Sequence, residues 1–262
     1  MLILDHLPTS QRKTSKLESS MLMLRVSCAA LLGAVLLASP ARADLSFGSN
    51  AVVNGDAESG TYVSTSSGFQ IFTTPGWTVA SGSPVAERYV DGGTGTTASS
   101  NLNPNTPGPS NRGALYFVGG GTTNSALTQT LSVLNVTTAI NAGQVNFTLS
   151  GWLGGYYSQN DSDTFSVTFY DVSNNLLGTT TIGPVLAADR SNATSMLFES
   201  ATGYIPVGAT SMTFTLTATV YAGFNNGAAD NLSFVANVPE PSTLMLLSPA
   251  LAGLIGMRRR RN

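Results

Sequence analysis

Histidine, cysteine and lysine are almost absent. The 262 residues include a single His6, a single Cys28 and two lysines, Lys13 and Lys16, all of them before residue 44. From Asp44 to Asn237 the only basic residues are Arg88, Arg112 and Arg190, and against eleven acids they leave that stretch at −8, where the whole chain stands at −2. Each shortage excludes a class of chemistry. Ser-His-Asp and Cys-His mechanisms need an imidazole base, and none remains after residue 43. Zinc sites built on His and Cys fail for the same reason. An acidic region with three arginines is repelled by nucleic acid, whose binding depends on releasing counterions from phosphates. Without cysteine there is no disulfide framework, so an exported domain of this size depends on its core and on whatever metal clip it can build.

What is present begins with two targeting segments. Arg25, the apolar run Val26 to Leu37 and Ala41-Arg42-Ala43 form the n-region, core and small-x-small cleavage site of a secretory signal peptide over residues 1–43, read as a signal helix. The polar residues 1–20 make Met21 or Met23 the better start. Cys28 heads the apolar run rather than following it, which argues against a lipoprotein attachment site. At the other end, Val238-Pro239-Glu240-Pro241 precedes an apolar run of 14 residues, Leu244 to Met257, and then Arg258 to Arg261. About 20 residues are usual for a bilayer span, so this is a short hydrophobic helix, and four arginines hold its end on the cytoplasmic side. Residues 238–262 resemble the PEP-CTERM sorting signal of Gram-negative bacteria. That resemblance implies an exosortase-type membrane protease as partner, a transient stay in the inner membrane, and delivery to the cell surface or to an exopolysaccharide matrix of the kind found in biofilms. As with other C-terminal sorting signals, the tail is removed and leaves no lasting span. An ordinary tail anchor is the alternative.

The region between, 44–237, is long enough for one domain with a sizeable core. It has no helical period and much Thr, Ser, Gly and Asn. Met212, Phe214, Leu216 and Ala218 alternate with polar residues, as do Val145, Phe147 and Leu149, and again Phe165, Val167 and Phe169. That is the pattern of strands with one buried face. Leu127 to Val133 repeats it less cleanly. Turn clusters such as Asn141-Ala142-Gly143, Ser173-Asn174-Asn175 and Pro206-Val207-Gly208 separate the runs. The expectation is an all-β, antiparallel sandwich of eight or nine strands. Asp91 to Gly113 reads as one long loop, functional or disordered, with Leu102 its only large apolar residue. No repeat of fixed period is present.

Two ends carry a further resemblance. Val52-Val53-Asn54-Gly55-Asp56-Ala57-Glu58, followed by Pro75-Gly76-Trp77, and Gly227-Ala228-Ala229-Asp230-Asn231-Leu232 are similar to the first and last strands of galactose-binding-like jelly rolls, the fold of many carbohydrate-binding modules. The resemblance implies that these strands lie side by side with a structural calcium between them, and the matching positions are Asp56, Glu58 and Asp230. The plain alternative has Asp56 capping a turn beside Gly55 and Asp230 solvated ahead of a strand.

Trp77, at a strand start, reads as a buried packing residue. Trp152 differs, because Val145, Phe147 and Leu149 occupy the odd positions of its strand and so place it on the opposite face. With Tyr156 and Tyr157 just beyond it, and Tyr221 and Phe224 in another loop, it makes a candidate platform on which a sugar ring could stack. Packing against the 91–113 loop is the alternative. Paired carboxylates could hydrolyse glycosides without histidine, but Asp161 and Asp163 stand too close in an Asn-Asp-Ser-Asp turn to face each other across a sugar. The reading is therefore a non-enzymatic surface or matrix protein that associates with extracellular polysaccharide. A purely structural surface protein comes second and a glycan-active hydrolase third.

Overall fold

The computed structural model describes residues 44–66, 69–89 and 102–239. The signal segment, the apolar tail with Glu240 and Pro241, and the first part of the 91–113 loop lie outside them. Within them the chain forms twelve strands in two antiparallel sheets that pack as a jelly-roll sandwich. The larger sheet has the order β1 (Tyr62–Ser66), β2 (Phe69–Phe72), β4 (Val85–Arg88), β5 (Leu115–Val118), β12 (Ala228–Asn237), β7 (Asn146–Gly155) and β10 (Ser195–Tyr204). The smaller has β3 (Thr78–Ser81), β6 (Ser125–Ser132), β11 (Ser211–Thr219), β8 (Ser162–Tyr170) and β9 (Leu176–Ile182).

The strands exceed the eight or nine expected because β1 to β5 are only four or five residues long. A strand of four residues shows two side chains per face, too few for alternation to stand out. The long strands fall where the alternation placed them. Their inward positions meet in an aromatic seam between the sheets: Phe234 stacks on Phe147 with centroids 5.0 Å apart and lies 5.3 Å from Phe214, while Phe147 lies 5.4 Å from Phe169. Trp77 is buried as expected, edge-on to Phe117 at 5.6 Å, and its indole N–H donates to the Asn54 carbonyl.

Three local features depart from the sequence reading. A 3-10 turn (Leu134–Val136) and a five-residue helix α1 (Thr137–Asn141) join β6 to β7, anchored by buried Ile140 and ended by Gly143 at φ +68°. Residues 51–60 are turns rather than a first strand. Their first half still runs beside the last strand, since the Ala51 N–H donates to the Phe234 carbonyl and the Leu232 N–H to that of Gly55. Finally, the described part of the long loop is packed down, with Leu102 and Thr106 buried. Among the described residues no helix is long and apolar enough to cross a membrane.

Candidate functional site

The outer face of the larger sheet carries one lateral row of chemically distinct side chains. On β7 the odd positions face the core, so Trp152 points outward, and the register sets it opposite Asp230 on β12 and Phe198 on β10. Glu87 on β4 pairs with Tyr116 on β5, and the Phe117–Ala229 pair brings Tyr116 and Asp230 to adjacent positions. The row therefore runs Glu87, Tyr116, Asp230, Trp152, Phe198.

Its first three members are enclosed. Residues 102–112 lie over them, and Leu102 packs with Tyr89, Tyr116, Val118, Met196 and Ala228 into a second small core, against which Trp152 and Phe224 are half-buried. The loop is fastened at several points. Met196 N–H donates to the Pro107 carbonyl, the Asn231 amide donates to Asn111, and the Arg112 guanidinium lies 5.1 Å from the Tyr89 ring centre while donating to the Asn103 and Pro109 carbonyls. The row's other end is open. Phe198 is 55% exposed and meets the edge of Trp152 at 5.7 Å.

Burial dominates the electrostatics under the loop. Desolvation raises the Glu87 carboxyl to about 7, although the Tyr116 hydroxyl donates to it at 3.3 Å. Asp230 is also raised to about 7, chiefly by burial. The Tyr89 hydroxyl at 2.7 Å and the Asn231 N–H oppose that rise, and the charges of Glu58 and Asp56 add to it. Both tyrosines are pushed above their usual range by burial first and by their acidic neighbours second.

The sequence-predicted residues are only partly brought together. Trp152 and Phe224 border the same small core. Tyr156 and Tyr157 pair edge-to-face at 4.8 Å, and among the described residues neither makes a ring contact with Trp152. Tyr221 is 75% exposed on the loop before β12. The platform thus reduces to Trp152 with Phe198, a partner that sequence reasoning missed. Phe198 alternates with Met196 and Ser200 on β10, and that mixed face gave no clear apolar stripe.

Asp56, Glu58 and Asp230 do not form a metal-binding group. Asp56 accepts the Glu58 N–H, as the turn-capping alternative expects, Glu58 accepts the Leu115 N–H at 2.7 Å, and Asp230 is buried on Tyr89 and Asn231. Among the described residues no three His, Cys, Asp or Glu side chains are placed to hold an ion. A polar cleft of about 330 Å³ lies alongside, lined by Asn50, Asn54, Asp56, Asn111 and Asn231. Asn50 and Asn54 are already committed to backbone partners. Asp161 and Asp163, read as a turn, are instead buried, with Asp163 inside β8.

Residues 237–261 match the model of the PEP-CTERM protein-sorting motif. No curated protein matches the chain. Among solved structures, the enzymatically active domain of bacteriophage CBA120 tailspike protein 4 is similar at 15% identity and a TM-score of 0.43, over 71% of this chain and 21% of that one. The chain thus spans about one fifth of that structure's length. A family 16 carbohydrate-binding module is similar at 13% identity and a TM-score of 0.37, over 71% of this chain and 99% of that one. The module TmCBM61, solved with beta-1,4-galactotriose, is similar at 12% identity and a TM-score of 0.38, over 73% and 99%.

Proposed function

We propose that this chain is an exported, non-catalytic surface protein that associates with extracellular polysaccharide through the open end of the outer row. The observation that carries this reading is the Trp152–Phe198 pair, two rings meeting edge-to-face on a solvent-facing sheet and flanked by Ser150, Ser200 and the exposed Thr148 and Thr202. The C–H face of a pyranose stacks on such rings while hydroxyl neighbours bond its rim. The carboxylates that could serve hydrolysis, Glu87 and Asp230, are enclosed beneath the loop, and this favours binding over cleavage.

Affinity electrophoresis against a panel of polysaccharides, preceded by a glycan array, tests the reading. Trp152→Ala and Phe198→Ala are each expected to weaken retention by up to about tenfold, since an aromatic stacking contact contributes about 0.5–1.5 kcal/mol. Far-UV circular dichroism of the Phe198→Ala variant should be unchanged, because Phe198 lies outside the core. Equal retention of both variants and the parent would overturn the site, and a parent that binds no glycan would leave the structural reading standing.

The motif at 237–261 supports an exosortase-type protease as the processing partner, with the inner membrane as a transient station. Mass spectrometry of the protein from its host should find the mature C-terminus near Pro241. Recovery of an intact Arg258–Arg261 end would rule out processing.

A further inference from the structure

The end of the sandwich at which β12 finishes, ahead of the sorting motif, carries almost no charge. β12 leaves the larger sheet at Asn237, in one row with Asn146 of β7 and Tyr204 of β10. Around that row lie the connections from β6 to β7, from β8 to β9 and from β10 to β11. They are tied together: the Val133 N–H donates to the Thr210 carbonyl, the Thr210 N–H to that of Tyr170, and the Gly208 N–H to the Asn141 side chain. Asp44, the first described residue, bridges to Ser132 at the same end.

Residues 133–146, 204–211 and 236–239 contain no charged side chain, although the 44–237 stretch carries −8. The acids nearby are Asp44 and Asp171, and Asp171 is taken up in its own turn by the Ser173 and Asn175 N–H groups. What the three connections present instead is apolar. Leu134, Val172, Leu176, Tyr204 and Val207 stand in them or at their borders and are 61–82% exposed. Single exposed apolar residues are ordinary on a protein surface, but five gathered at one charge-poor end point to an interaction surface.

The sequence beyond this end indicates what covers it. Only Glu240, Pro241, Ser242 and Thr243 separate Pro239, the last described residue, from the apolar run that starts at Leu244. Five residue steps span at most about 18 Å, and the headgroup layer on one side of a bilayer takes up about 5–8 Å of that. Given the transient membrane station proposed above, on which this inference rests, the end of β12 is held within roughly 10–13 Å of the lipid surface. Acidic side chains facing anionic headgroups are repelled, whereas apolar residues and a tyrosine suit the headgroup level.

We propose that this end of the sandwich is a membrane-contacting face. While the tail is in the bilayer, Leu134, Val172, Leu176, Tyr204 and Val207 seat against the lipid headgroups and hold residues 238–243 at the membrane surface, where a membrane protease can reach them.

The test uses the exported chain from Asp44 to Asn262, which has no cysteine of its own, reconstituted in phosphatidylcholine vesicles. Val172→Cys, Val207→Cys, Tyr221→Cys at the opposite end, and Leu251→Cys in the tail each carry one fluorophore. With lipid spin-labelled at the headgroup, the labels at 172 and 207 should lose most of their emission, while that at 221 keeps it. Lipid spin-labelled in the acyl chain should quench the label at 251. If 251 is quenched but 172 and 207 emit like 221, the proposal is overturned and the membrane station stands. If 251 is not quenched, both fall. In the host, the double variant Leu134→Glu, Val207→Glu should keep its melting temperature, since both positions are exposed, yet accumulate several times more uncut precursor. Slower cutting of that variant without quenching at 172 and 207 would place the protease rather than lipid on this face and overturn the proposal.

Discussion

Phe234→Ala is expected to destabilise the domain by about 3–5 kcal/mol, as Phe to Ala changes in a closed core do, a large fraction of the stability of an ordinary domain. Phe234 is fully buried on β12 and its ring touches Phe147 on its own sheet and Phe169 and Phe214 on the other. Removing it opens a cavity bounded by rings from neighbouring strands, and these are central strands whose backbone pairing resists collapse. Phe198→Ala provides the contrast. The same residue type on the outer face of β10 is 55% exposed, and its removal should change stability by about 0.5 kcal/mol or less. Urea denaturation of the two variants beside the parent checks both figures, and similar midpoints for both would refute the assignment of inner and outer faces.

That contrast shows what the sequence made legible. Strands of nine or ten residues such as β7, β8 and β11 gave four or more inward side chains in alternation, so their faces, and hence the outward position of Trp152, could be read directly. Strands β1 to β5 are too short for that test, and β9 hides its buried face in a run of threonines. The outer row was illegible for another reason. It is assembled across five strands from residues between 87 and 230, and no local pattern announces that Glu87, Tyr116 and Asp230 share one line. Nor does a Gly, Pro and Asn-rich loop reveal that it will cover that line, since its hold comes from Leu102 and a handful of backbone bonds. The acid pair at 161 and 163 was visible as a motif, but its burial depends on the loop at 220–227 closing over it.

The enclosed acids lead to an unusual pH profile: the domain should be more stable at pH 5 than at pH 8. Glu87 rises from 4.5 to about 7 and Asp230 from 3.8 to about 7, each mainly through burial. A carboxyl whose pKa is raised on folding keeps its proton in the folded chain after the unfolded chain has released it. Between about pH 4 and pH 7 the folded state then binds more protons, and stability falls as pH rises through that window. Every tenfold gain in proton affinity on folding corresponds to about 1.4 kcal/mol, so the two acids together amount to several kcal/mol. The groups facing them are Tyr116 and Tyr89, which donate to the carboxyls, Arg112 above Tyr89, and Glu58 and Asp56, whose charges oppose ionisation of Asp230. Asp171, exposed and held low by Asn175, acts in the opposite sense but lies in water at a turn, where its effect is screened. Thermal melts from pH 4 to pH 9 should decline across the window. In the double variant Glu87→Gln, Asp230→Asn the decline should be smaller, because neither amide has a proton to lose, and what remains comes from Asp163, whose carboxyl is also pushed up by burial and by the charge of Asp161. A parent curve that rises from pH 5 to pH 8 would mean that these carboxyls are ionised and solvated, and that residues 102–112 do not close over them.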